Sequence, residues 1–96
     1  MLVLITYDVN TETANGRKRL HKISKMCVNY GRRVQNSVFE CELDAAQLVM
    51  VKGKLLKIID TDKDSLRIYL IGNNYQHKVE HYGIKESFDV TEPLII

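Results

Sequence analysis

The chain opens on an apolar run, Met1-Leu2-Val3-Leu4-Ile5-Thr6-Tyr7, that stops at Asp8. Successive side chains of a strand point to opposite faces. Leu2 and Leu4 therefore share one face, Val3 and Ile5 the other. A strand apolar on both faces is buried on both, so residues 2–9 are expected inside a sheet, covered above and below. A chain of 96 residues makes one domain. A domain this small buries only about 60–65% of its unfolded surface, which leaves its core marginal by itself. The opening run lacks the basic flank of a signal peptide and meets Asp8 too early. No apolar stretch nears the roughly 20 residues of a membrane span.

The remaining pattern alternates helix and strand. Thr11 to Gly16 is a polar loop, with Asn15 or Gly16 at the start of a helix that runs to about Tyr30. Leu20, Ile23, Cys27 and Tyr30 recur at helical spacing and predict one buried stripe. Gly31 reads as a left-handed helix stop. Residues 32–43 are extended, and Gln35-Asn36-Ser37 splits them into strands at 32–35 and 38–43. Asp44 caps a second helix to about Ile59, with Leu48, Val51, Leu55 and Ile58/Ile59 inward. Gly53 inside it costs about 1 kcal/mol against Ala. Asp60 to Asp64 reads as a loop, 66–71 as a strand, and Val79 to Ile84 as one more.

That order, β-α-β-β-α-β with an appended strand, predicts a ferredoxin-like α/β sandwich, two helices on one face of a four-stranded sheet. The other face then needs a cover, and a second copy related by a two-fold is the simplest one. Residues 76–96 are expected as a strand and an apolar tail that dock on that partner.

Charge is distributed unevenly. From Thr13 to Phe39 there is no acid, while Arg17, Lys18, Arg19, Lys22, Lys25, Arg32 and Arg33 make a formal +7. The rest of the chain has seven Lys/Arg against twelve acids, a formal −5. Solvated helix faces normally mix signs in i,i+4 pairs, and none is available here. A one-signed patch is the footprint of a phosphate-rich partner. Arg17, Lys18, Arg19, Lys22, Arg32 and Arg33 are therefore the expected contacts to a nucleic-acid backbone.

Asp8 stands beside this block. One carboxylate is a poor site for Mg²⁺, which takes one or two carboxylates, waters and phosphate oxygens. A two-fold near the strand end would bring two Asp8 side chains to one Mg²⁺ or Mn²⁺. Against that stands a plain structural role, a loop cap or a pair with a nearby Arg. Tyr7, Ser37 and Phe39 lie in the same region. Ser37 is either a turn residue or a hydroxyl that steers phosphate, and Phe39 is either packing or a platform for a base. Cys27 and Cys41 fall in core-like segments, and the 45% apolar content needs no disulfide staple, so a reduced cytoplasmic pair is expected. His21, His77 and His81 are scattered, without zinc spacing.

Several motifs carry a resemblance. Tyr7-Asp8, Lys18-Arg19-Leu20 with Cys27 and Tyr30-Gly31, the segment Arg33 to Cys41, and Ser65-Leu66-Arg67-Ile68-Tyr69 together resemble the small CRISPR-associated adaptation endonuclease family, CRISPR-associated protein two. The likeness is close over about residues 1–75. It implies a ferredoxin-like homodimer that acquires spacers beside the CRISPR integrase. It also implies metal-dependent cleavage of DNA or RNA, with Asp8 as the catalytic metal ligand. The alternative is a non-catalytic dimeric scaffold that holds duplex DNA for that integrase. A small regulatory ligand-binding domain of the same fold would leave the charge block unexplained.

Overall fold

The computed structural model describes residues 1–71 and 77–84. The elements run β1 (Leu2–Asp8), α1 (Ala14–Tyr30), β2 (Gly31–Gln35), β3 (Val38–Glu42), α2 (Ala45–Ile58), β4 (Ser65–Ile71) and β5 (His77–Gly83). The strands form one sheet in the order β2-β3-β1-β4-β5, so β1 lies at its centre, as its two-sided apolar pattern demands. Every neighbouring pair is antiparallel. The first four strands and two helices have the ferredoxin-like arrangement.

Alternation along β1 decides where everything else sits. Val3, Ile5 and Tyr7 join Phe39, Cys41, Leu66 and Ile68 in a core closed by Ile23 and Cys27 of α1 and Leu48, Val51 and Leu55 of α2. Both helices therefore cover the same sheet face. Leu2, Leu4, Thr6 and Asp8 point to the opposite one. Leu4 is buried there too, and Leu2 half-buried.

Helix ends differ in detail from the sequence expectation. α1 starts at Ala14, next to the expected Asn15, and Thr13 caps it, its hydroxyl accepting from the Gly16 N–H at 3.1 Å. Gly31 is not a left-handed stop: its backbone is extended, with φ −156°. Glycine is needed there because a Cβ would overlap Cys41 Sγ of the adjacent strand. Asp44 caps α2 as expected, in a reciprocal capping box with Gln47.

The appended strand is β5. β5 pairs with β4 of its own chain, in register from Ser65↔Gly83 to Ile71↔His77. The expected docking of residue 76 and of the tail from 85 to 96 on a partner lies outside the described residues.

Gly53 sits mid-helix in α2, exposed, and a Cβ there would meet no atom within 4 Å. Gly53→Ala should therefore raise stability by about 1 kcal/mol. In a domain of this size that lifts the melting temperature by roughly 4–8 °C. A calorimetric scan that shows no rise would contradict this reading of α2.

Candidate nucleic-acid interface and carboxylate site

Asp8 is the last residue of β1 and pairs in register with Ser65 of β4. It is exposed, on the face away from the helices. Among the described residues nothing hydrogen-bonds or ion-pairs with its carboxylate, so neither the loop cap nor the Arg pair is formed among them. Nor does any group of three His, Cys, Asp or Glu side chains stand close enough to hold a metal among those residues. Among the described residues Asp8 thus stands as a single carboxylate, and a metal would need further oxygen ligands from a second copy, from water or from a substrate phosphate. Glu12 is exposed in the following loop, where its N–H donates to Asn10 Oδ1 at 3.0 Å.

Tyr7, next in sequence, points the other way into the core. Its ring stacks on Phe39 with centroids 6.1 Å apart and planes 20° from parallel. Burial, outweighing a polar contact with Ser24, keeps its hydroxyl protonated above the ordinary tyrosine range. Phe39 is fully buried at the heart of the sheet. Of its two sequence readings only packing survives, since no base can reach the ring. Ser37 is half-buried at the turn, and its carbonyl accepts from the Tyr7 N–H at 3.2 Å.

The basic block is not one continuous track. Arg17, Lys18 and Lys22 are exposed on α1, with Arg17 Nη1 donating to the Thr11 carbonyl at 3.2 Å. Arg32 and Arg33 alternate across β2. Arg33 turns toward α1, donating to Ser24 Oγ with its guanidinium 5.1 Å from the Phe39 ring centroid. Arg32 turns to the Asp8 face, where it meets Glu40 at 3.2 Å. That pair is mostly solvated and holds Arg32 only weakly.

Arg19 departs furthest from expectation. It forms a forked pair with Asp64, Nε to Oδ2 at 2.8 Å and Nη2 to Oδ1 at 3.2 Å. Asp64 is fully buried. Its carboxylate also accepts from the Asn10 N–H at 3.0 Å and the Asp60 N–H at 2.9 Å. Burial raises its pKa, but the Arg19 guanidinium and the two backbone donors outweigh that and hold it below 3.8. Two of the three guanidinium nitrogens of Arg19 are thereby engaged inside the fold. Asp64 was invisible in the sequence because three Asp residues crowd that loop, and which one is buried is a tertiary matter.

A second buried charge lies on the Asp8 face. Arg67, opposite Thr6, donates from Nε to His81 Nδ1 at 3.0 Å, and His81 Nε2 lies 2.9 Å from the Ile84 carbonyl. Cys27 and Cys41 are free and buried, and burial pushes Cys27 up to about 12. No helix among the described residues is long and apolar enough to cross a membrane.

A ferredoxin-like sheet with an exposed carboxylate at the end of its central strand and an acid-free basic helix on its covered face defines a class of small basic α/β domains. Within that class, residues 1–79 match the family described as CRISPR associated protein Cas2, and the chain belongs to that family. It is 61% identical over 95 residues to the CRISPR-associated endonuclease Cas2 of Halalkalibacterium halodurans, covering 99% of each chain. It is 57% identical to the CRISPR-associated endoribonuclease Cas2 of Chlorobaculum tepidum over the whole of both chains. The crystal structure of Streptococcus pyogenes Cas2 at pH 6.5 superposes with a TM-score of 0.70 at 59% identity, covering 78% of this chain and 90% of that one.

Proposed function

We propose that this chain is a homodimeric, metal-dependent endonuclease of CRISPR adaptation, acting on the phosphodiester backbone of DNA or RNA. The single observation that carries the reading is the exposed Asp8 carboxylate at the end of the central strand, without a partner among the described residues. An exposed side chain with no partner among the described residues is available for chemistry. The names of the relatives, endonuclease and endoribonuclease, support the same reaction class. The face that carries Asp8 also carries Leu2, Leu4 and, on β5, the exposed Val79, which suits a second copy packed there. Such a dimer would present two Asp8 carboxylates, which together fit Mg²⁺ or Mn²⁺. When bound, the ion would activate water and neutralise the scissile phosphate. Arg17, Lys18 and Lys22 would hold the backbone in place, with Arg32 nearer the carboxylate face. The working compartment is the cytoplasm, where the two thiols stay reduced, and the CRISPR integrase is the expected protein partner.

The test is a cleavage assay of wild type beside Asp8→Ala on duplex DNA and on RNA, with Mg²⁺, Mn²⁺ and EDTA. EDTA-sensitive cleavage that Asp8→Ala loses supports the reading. A second reading, the non-catalytic scaffold, draws on Asp8 having no second metal-ligating cluster around it among the described residues. It wins if the wild type cuts nothing under any of these conditions.

Both readings share one expectation about binding. With Arg19 committed to Asp64, about three or four phosphates per protomer are contacted. The logarithm of duplex affinity should fall with the logarithm of salt at a slope of about −3 per protomer. Arg17→Glu should weaken all sequences alike. A flat salt dependence, measured by fluorescence anisotropy, would rule out this backbone contact.

A further inference from the structure

The loop that follows Asp8 is tied down at several points. The Asn10 N–H donates to Asp64 Oδ1, and the Asn10 side chain accepts from Glu12 N–H. The Asn10 carbonyl lies so close to Gly16 that any Cβ there would overlap it. The first turn of α1 is thus pressed onto this loop, and Arg19, farther along α1, grips the same Asp64 carboxylate. On its other side Asp64 anchors the Asp60 N–H, and its own carbonyl accepts from the Ile84 N–H at 2.9 Å. Gly83, with φ +98°, lets β5 pass directly over that carbonyl. Ser65, the next residue, is the register partner of Asp8. The Asp64 carboxylate therefore joins α1, the β1–α1 loop and the α2–β4 loop, and its backbone carbonyl adds the end of β5, all around the strand end that presents Asp8.

We propose that Asp64, gripped by Arg19, is the positioning residue of the Asp8 site. Resting on the function proposed above, it holds the β1 terminus and the loop after it so that the Asp8 carboxylate faces metal and phosphate in one geometry. Arg19 thereby serves the site as a tether and not as a phosphate contact. Asp64 touches neither substrate nor metal. It acts through the backbone at Asn10, two residues beyond the ligand. A misplacement of about 1 Å at a reacting group lowers rates by about a hundredfold.

The test compares Asp64→Asn, Asp8→Asn and wild type at a temperature where each is fully folded by circular dichroism. Asp64→Asn keeps the shape of the side chain but loses the charge that Arg19 grips. Its expected pattern is duplex affinity within about twofold of wild type, and a kcat lower by about ten- to a hundredfold with KM little changed. Mn²⁺ binding measured by calorimetry should weaken, and amide hydrogen exchange at Asn10 should accelerate. If Asp64→Asn is folded yet keeps wild-type kcat and Mn²⁺ affinity while Asp8→Asn is inactive, Asp64 is merely structural and the inference fails alone. If Asp8→Asn cleaves like wild type, or wild type does not cleave, the nuclease reading fails and this inference falls with it. Should Asp64→Asn not fold, Arg19→Lys takes its place. It keeps the positive charge but loses the fork, so it should show the same fall in kcat, and a wild-type kcat would overturn the proposal.

Discussion

Asp8→Asn should lower cleavage by about three orders of magnitude while duplex affinity stays unchanged or rises slightly. The rate loss follows from what a metal ligand supplies: charge neutralisation and water activation are worth several kcal/mol, and each 1.36 kcal/mol is about tenfold in rate. The affinity follows from Coulomb's law, because removing one acid from a basic surface removes only repulsion toward phosphate. Stability should barely move. Asp8 is exposed and its carboxylate has no internal partner among the described residues, so the substitution belongs with surface changes worth within about 0.5 kcal/mol. The three readouts come from one preparation: initial rates with Mn²⁺, anisotropy with labelled duplex, and a thermal melt. Cleavage at the wild-type rate by a folded Asp8→Asn would remove Asp8 from the chemistry.

The largest stability effect is expected at Phe39. Truncation to alanine should cost about 3–5 kcal/mol, the usual range for a buried aromatic side chain. Phe39 has no exposed surface, and it is the meeting point of the Tyr7 ring, the Arg33 guanidinium and the core beneath α1. The loss of the stacked pair alone adds about 0.5–1.5 kcal/mol to the cavity cost. A domain of this length has a total stability of roughly 5–14 kcal/mol, so the variant should sit close to unfolding at ambient temperature. Phe39→Leu, which refills most of the volume, should cost far less and keep wild-type duplex affinity. Urea midpoints at fixed protomer concentration measure the first effect, and anisotropy with Phe39→Leu the second. A tenfold loss of affinity in a fully folded Phe39→Leu would instead restore the base-stacking role.

The features carried by local pattern were legible. The two-sided apolar run of β1 marks a central strand because strand side chains alternate whatever surrounds them. The stripe through Leu20, Ile23 and Cys27 turns one face of α1 to the core by the same kind of geometry, and Asp44 caps α2 through bonds that span three residues. The resemblance rested on short segments whose spacing is set along the chain, and the family match covers those segments. The prominence of Asp8 also belongs to the sequence, as one acid that closes an apolar run beside an acid-free window.

What depended on tertiary structure was the assignment of partners. Seven basic residues are equal in a count of charge. Only folding sends Arg19 to Asp64, Arg33 to Ser24 and Phe39, and Arg32 to the opposite face. Adjacent residues of β2 part because the strand alternates, and that alternation separates charges that look continuous on paper. Asp64 is the clearest case. It lies 45 residues from Arg19 and 54 from Asn10, and no local rule distinguishes it from Asp60 or Asp62. Its burial exists only once β4 lies against β1 and α1 is pressed onto the loop at Gly16. The cost of burying a carboxylate is met by a guanidinium fork and two backbone donors brought from three separate segments. The sequence by itself determined the layers of this protein, because periodicity is local. The tertiary structure decided which charges remain free to act, because an ion pair forms between whichever groups the packed elements bring within reach.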